Sequence, residues 1–365
     1  MNQLYYRELI AGRVKGPGAA FLRLLLSLAA CLYLTVIALR NFLYDAGLLK
    51  AHCVNAAVIS IGNITAGGTG KTPLVIWLCN VLSKKGISCA ILTRGYKSGQ
   101  NSKLRTANCI DEPAIIAQHC PQAPVVIDPD RVAGAAHAIE NFDAKVLIMD
   151  DGFQHRRLDR DLDIVTIDAT RPFGYGTLLP AGLLREPVRS LKRAQAVVLT
   201  RCDQVADADL EQLQHQINQL NPDITIATSA HRPVCVRTAQ GTDVKLDELK
   251  GSKVFAFCAI GNPDAFFDTL KALGLNVLGS RSYNDHHHYG TGDVAYICET
   301  ARIISANLVL TTEKDWTKIS DLLPKTTDLT FACLIIELKF LTGQKNLRAL
   351  IQDTITCKMS QRTEN

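Results

Sequence analysis

The chain has 365 residues, 47% of them hydrophobic, with a formal net charge of +5. That length suits about two domains, and that apolar share supports a large buried core and excludes a disordered chain. The mild positive charge, with no RNA-recognition, zinc-finger or homeodomain signature, argues against a nucleic-acid partner and is compatible with an anionic membrane face.

The first element is "LLLSLAACLYLTVIAL", residues 24–39, which carries no charge. As a helix it would run about 24 Å, short of the ~30 Å hydrocarbon core of a bilayer. Extension back to Ala19 takes in Arg23, which would have to snorkel. A signal peptide, a buried core helix, and a helix embedded in or lying on a membrane all fit the run. Arg13, Lys15, Arg23 and Arg40 flank it, which favours the membrane reading.

Strands and helices then alternate. "AAVISIGN" (56–63) reads as a strand and "TPLVIWLCNVLSKKG" (72–86) as a helix with a Lys-Lys-Gly stop. "ISCAILTR" (87–94), "APVVID" (123–128) and "AKVLIMDD" (144–151) are strands, with the helix "DRVAGAAHAIENF" (130–142) before the last. "LDIVTIDA" (162–169) and "AQAVVLTRCD" (194–203) continue the series, and 204–221 is helical. The pattern predicts an α/β, P-loop NTPase-like, doubly wound and mostly parallel sheet. Past residue 225 a strand (253–261), a helix (262–274) and a helix end with a strand (301–316) predict a second, smaller α/β lobe. The expected organisation is a membrane-associated helix and lead-in (1–50), a P-loop core (51–224), the smaller lobe (225–345) and a tail (346–365) whose end, "KMSQRTEN", frays. The 12 cysteines are scattered with no C-x-x-C, so they read as reduced, mostly buried thiols.

The richest stretch is "GNITAGGTGKTP", residues 62–73. A phosphate loop reads G-x-x-x-x-G-K-[ST], and here Thr65 stands where its first Gly belongs. Gly67, Gly68 and Gly70 let backbone N–H groups turn inward, and the following helix N-terminus completes a cup for phosphate oxygens. Thr65, Ala66, Gly67, Gly68, Thr69, Gly70, Lys71 and Thr72 are therefore the candidate ATP-binding residues. Lys71 suits the β- and γ-phosphates, and the Thr72 hydroxyl suits Mg²⁺. Need of ATP argues against export of the chain. Ala66 stands where one branch of P-loop ATPases carries an extra Lys, which disfavours a nucleotide-switch dimer. "KVLIMDD" ends in Asp150 and Asp151, acids at a parallel strand's C-terminal end, where a second magnesium-handling group belongs.

"DDGFQHRRLDRDLDIVTIDATRPFGYGTLLPAGLLREP" (150–187), together with the phosphate loop, "LTRGY" (92–96), "DEP" (111–113), "PDRV" (129–132), "NDHH" (284–287) and "TTEKD" (311–315), closely resembles the tetraacyldisaccharide 4′-kinase (lipid A 4′-kinase) family. The resemblance runs from the apolar helix to about residue 320, and the last forty residues match nothing. Lys97 and Ile110 stand where the family commonly has Gly. The resemblance implies transfer of the ATP γ-phosphate to the 4′-hydroxyl of a tetraacylated disaccharide 1-phosphate, giving lipid IVA, with ATP and Mg²⁺ as cofactors. It places the chain at the cytoplasmic face of the inner membrane. The expected partners are the lipid acceptor and inner membrane lipids, with no nucleic acid and no obligate protein partner.

The resemblance also assigns roles. Asp111 matches the catalytic acid residue and His286 its partner, which would come from the second lobe. The residues alone read Asp111 as a helix N-cap and His286-His287-His288 as a weak zinc candidate. Glu186 matches a residue on the Mg-ATP side, with an ion pair to a neighbouring Arg as the alternative. Arg94, Tyr96, Gln154, His155 and Arg185 are candidates for substrate, and Gln154 and His155 also brace the site. "TRCD" (200–203) lies where some P-loop proteins read the base. The rival functions are a nucleotide-switch ATPase and a membrane-tethered nucleotide-binding scaffold.

Overall fold

The computed structural model describes residues 3–94, 112–285, 287–324 and 328–363. Tyr96, Asp111 and His286 lie outside the described residues.

In chain order the helices and strands are α1 (Gln3–Ile10), α2 (Pro17–Asp45), β1 (Ala57–Gly62), α3 (Lys71–Lys84), β2 (Cys89–Thr93), α4 (Glu112–His119), β3 (Val125–Ile127) and α5 (Arg131–Phe142). Then come β4 (Val146–Asp150), β5 (Leu162–Asp168), β6 (Ala196–Thr200), α6 (Asp207–Leu220), β7 (Thr225–Thr238), β8 (Asp243–Lys245) and β9 (Lys253–Cys258). The chain closes with α7 (Pro263–Ala272), β10 (Asn276–Ser282), α8 (Thr291–Ile303), β11 (Leu308–Thr312), α9 (Glu313–Ile319), β12 (Thr330–Thr342) and α10 (Gln344–Thr363).

The chain forms two compact units. The first comprises residues 1–107, 119–230 and 338–365, and the second 108–118 and 231–337. Helix α4 up to Gln118 belongs to the second unit, and the chain from Leu338 belongs to the first, where Leu347, Ile351 and Ile355 of α10 recur every four residues and are buried. Lys358 Nζ also pairs with Asp161 Oδ1 at 3.0 Å.

In the first unit the strand order is β3-β2-β4-β1-β5-β6-β7, with parallel pairing throughout. Every residue of β1, β2, β4, β5 and β6 is buried, which is why these strands read as continuous apolar runs: helices cover both faces of a parallel sheet. Ile64, Phe153, Val165, Leu199 and Ile217 belong to one core cluster, and Val58, Ala90, Leu92, Ala135 and Leu147 to another. Asp130 caps α5 by accepting from the Val132 and Ala133 amides at 3.0 and 3.4 Å.

The second unit holds parallel strands in the order β10-β9-β11-β12, with β8 antiparallel to the later part of β7. Phe255, Phe257, Tyr289, Ile297 and Val309 form one of its cores. All eleven described cysteines are free thiols, most of them buried.

Helix α2 is longer than its uncharged run, about 43 Å at 1.5 Å per residue. Only 11% of its most apolar window is buried, so it is not a core helix. Phe21, Leu24, Leu28, Leu32, Val36 and Leu39 are exposed, whereas Ala19, Ala30 and Ile37 are buried against the protein. Arg23 Nη1 donates to the Val14 carbonyl at 2.7 Å.

Candidate active site

The loop after β1 answers why Thr65 is tolerated in place of glycine. Thr65 is buried and pairs with Leu184 in an isolated antiparallel bridge. The Ala66 amide donates to the Leu183 carbonyl at 2.6 Å, and the Arg185 amide to the Ile64 carbonyl at 2.7 Å. The first half of the loop is thus extended chain held by the "LLPAGLLREP" segment, a conformation any residue adopts. Glycine is required later: Gly70 sits at φ 83°, in the left-handed region, directly before α3.

Buried hydroxyls pin the turn. The Asn63 amide Nδ2 donates to Thr69 Oγ1 at 3.0 Å, and Thr69 Oγ1 shares a hydrogen bond of 2.7 Å with Thr166 Oγ1. Thr200 Oγ1 donates to the Thr69 carbonyl at 3.0 Å. Arg201, at φ 55°, donates to the Gly68 carbonyl at 3.1 Å and pairs with Asp168. Arg201 and Asp168 are both buried. The "TRCD" stretch therefore braces the phosphate loop through its arginine. Sequence reasoning missed Asn63, Thr166, Thr200, Asp168 and this role of Arg201. For Asp168 and Thr200 the signal was a charge or a hydroxyl closing an apolar strand.

The "DDGFQH" turn packs against the same loop. A Cβ on Gly62 would lie 2.5 Å from Phe153 Cβ, so only glycine lets the two chains approach. Asp151 sits at φ 54°, which an aspartate adopts more readily than most side chains. Its Oδ1 lies 3.1 Å from Lys71 Nζ, and Arg185 Nη1 donates to both of its oxygens, at 3.0 and 2.9 Å. Burial pushes this carboxyl up, but the Lys71 ammonium and then the Arg185 guanidinium outweigh it and hold it well below the usual carboxylate range. Asp150 ends β4 and is buried. Gln154 Nε2 donates to the Asn63 carbonyl at 2.8 Å. Burial, then Arg131 and Arg160, push His155 down to about 4, so its ring is neutral at pH 7. Arg94 ends exposed just beyond β2.

Glu186 stands elsewhere. It is fully buried, and its Oε2 accepts from Arg193 Nη2 at 2.9 Å and Asn41 Nδ2 at 3.1 Å. Arg40 Nη2 lies 3.5 Å from Oε1. The arrangement holds ion pairs of Glu186 with Arg193 and Arg40. A carboxylate facing two guanidinium groups would have to release them to take up a cation.

These residues fit ATP and magnesium. Helix α3 has no side-chain cap at Gly70, so its first-turn N–H groups are not taken by a capping side chain and suit a phosphate. Among the described residues no group of three or more His, Cys, Asp or Glu could hold a metal. Magnesium needs no such cage, since one or two protein oxygens with phosphates and waters suffice.

In the second unit Lys314 Nζ lies 3.1 Å from Glu112 Oε1 and 3.5 Å from Asp285 Oδ1. These two acids are the described sequence neighbours of Asp111 and His286. Glu112, Asp285 and Lys314 all fall in the second unit. Beside them His287 Nε2 lies 3.1 Å from Asp293 Oδ2 and its ring stacks on Tyr283. Tyr289 donates to buried Asp315 at 3.0 Å.

The family model for Tetraacyldisaccharide-1-P 4′-kinase matches residues 22–356. The chain belongs to this family. The match reaches well into α10, past the limit of about residue 320 expected from motifs. A tetraacyldisaccharide 4′-kinase of Halothermothrix orenii is 37% identical over 318 residues, 81% of this chain and 83% of the relative. One from Syntrophotalea carbinolica is 35% identical over 367 residues, 93% of this chain and 95% of the relative. The crystal structure of an "apo" form of LpxK from Aquifex aeolicus in complex with ATP superposes with a TM-score of 0.69 at 30% identity, covering 92% of this chain and 99% of that one.

Proposed function

We propose that this chain transfers the γ-phosphate of ATP to the 4′-hydroxyl of a tetraacylated disaccharide 1-phosphate, forming lipid IVA. The observation that carries the reading is the Arg185–Asp151–Lys71 chain of charge beside an uncapped helix N-terminus, built from the two motifs most particular to the family. The loop N–H groups and Lys71 bind the phosphates, and Asp151 with Arg185 fixes where the Lys71 ammonium stands. Thr72 and Asp150 are the proposed magnesium-holding residues. Magnesium, when bound, supplies neutralisation of charge on the phosphate oxygens. Asp111, oriented by His286, is the proposed acceptor of the sugar hydroxyl's proton. Arg94 and Tyr96 are proposed to contact the acceptor.

The acceptor carries four acyl chains, and each CH₂ exposed costs about 0.8 kcal/mol. An enzyme docked on the bilayer avoids extracting it, and the exposed apolar face of α2 supports docking at the cytoplasmic face of the inner membrane, where ATP is found. Incubation with ATP, Mg²⁺ and the lipid disaccharide tests the reading: ADP release that depends on acceptor supports it. Acceptor-independent ADP release would favour a nucleotide-switch ATPase, and no release a scaffold.

A further inference from the structure

The step Arg185–Glu186 faces two ways. The Arg185 side chain chelates Asp151, which holds Lys71. The Glu186 side chain is buried toward α2. Three α2 groups fasten this step: Tyr33 donates its hydroxyl to the Arg185 carbonyl at 2.9 Å, Asn41 donates to Glu186 at 3.1 Å, and Arg40 faces the other Glu186 oxygen. The other motif is tied to the same helix. Arg156, within "DDGFQHRR", donates to the Asn41 carbonyl at 3.1 Å and to Asp45 Oδ1 at 2.7 Å. Apolar contact through Ala30 and Ile37 would be enough to dock a helix. Directional bonds to the backbone of Arg185 and to a fully buried carboxylate do something else: they fix where the Arg185 side chain begins.

We infer that Tyr33 and Asn41 are positioning residues for phosphoryl transfer, through which α2 holds Arg185 on Asp151 and Asp151 on Lys71. The inference rests on the kinase reading above. It makes α2 part of the reaction machinery as well as a membrane contact, and it assigns the buried Glu186 to this coupling.

The test uses the full chain in mixed detergent micelles at saturating lipid disaccharide, where docking does not limit turnover. Tyr33→Phe removes one hydroxyl, and Asn41→Leu keeps the volume but removes the amide. Each should lower kcat by about 5- to 30-fold, the loss of a hydrogen bond felt in the transition state, with the acceptor KM within twofold. In the Arg185→Lys background Tyr33→Phe should cost less than about twofold more, because both changes act through one group. In nucleotide-free protein, amide exchange at Leu184 and Arg185 should quicken roughly tenfold in Tyr33→Phe, as their local hold on the loop loosens. Unchanged kcat and exchange in Tyr33→Phe, which has no reason to misfold, would overturn the inference. Losses that multiply fully with Arg185→Lys would overturn it too, as would a raised acceptor KM with unaltered kcat. A wild-type chain that phosphorylates no acceptor would instead overturn the kinase reading beneath it.

Discussion

Lys71 Nζ stands 3.1 Å from Asp151 Oδ1, so the phosphate-loop lysine is held by the second acid of the "DDGFQH" turn. Lys71→Ala should lower kcat by about 10²- to 10³-fold, the cost of one preorganised charge on a reacting phosphoryl group, with a smaller change in nucleotide affinity. Asp151→Asn should also lower kcat, because Lys71 and Arg185 lose their common anchor. Steady-state kinetics beside direct nucleotide binding separates the two effects, and near-wild-type turnover in Lys71→Ala would remove the phosphate-loop argument.

The His155 ring is held at about 4 against an ordinary value of 6.5. The folded state therefore takes up this proton less readily than the unfolded one. Its contribution to stability is complete above pH 6.5 and declines as the pH falls toward 4. Asp151 acts in a different window: its depressed carboxyl still stabilises the fold there, and loses that effect only at lower pH. His155→Gln should flatten the fall of the melting temperature between pH 6.5 and 4. Parallel slopes for the two proteins would contradict the assignment.

The outer face of α2 can be changed without touching its inner grip. Leu24→Asn, Leu28→Asn and Leu32→Asn together should release the protein from vesicles and raise the apparent KM for membrane-embedded acceptor several-fold. Nucleotide affinity should stay the same, since Tyr33, Arg40 and Asn41 remain. Flotation with anionic vesicles measures release directly. A triple variant that still floats and keeps its KM would sink the docking reading.

Lys314 bridges the neighbours of the two proposed proton-handling residues. Lys314→Met leaves Glu112 and Asp285 facing each other as like charges and should lower kcat by at least about tenfold, with ATP affinity intact. Asp111→Ala and His286→Ala should each cost about 10²- to 10⁴-fold, and together little more than the worse single change. Fully multiplicative losses would mean that the two act independently.

Much of the first unit was legible because its strands are buried on both faces and so spell continuous apolar runs between Gly, Asp and Lys stops. Thr65 was legible as tolerable, because the turn-forming glycines lie at the distal end of the loop, but its partner Leu184 was not: it is remote in sequence, and only the fold brings a second extended segment beside the loop. Helix α10 was hidden because Leu347, Ile351 and Ile355 are diluted among polar residues. The partners of Glu186 were not legible because a sequence shows a carboxylate's place in a motif and not its neighbours. Here they come from α2, far upstream, and from Arg193. Arg201 was missed for the same reason, since its partner Asp168 ends a different strand.

The central claim is that the γ-phosphate goes to one hydroxyl of a lipid. The most direct measurement supplies γ-labelled ATP, Mg²⁺ and a tetraacylated disaccharide 1-phosphate in mixed micelles, and locates the label in the lipid product by mass spectrometry and phosphorus NMR. The account predicts one labelled monophosphate at the 4′ position per ADP released, and almost none with Lys71→Ala. Label released as inorganic phosphate, at a rate indifferent to the lipid, would contradict it.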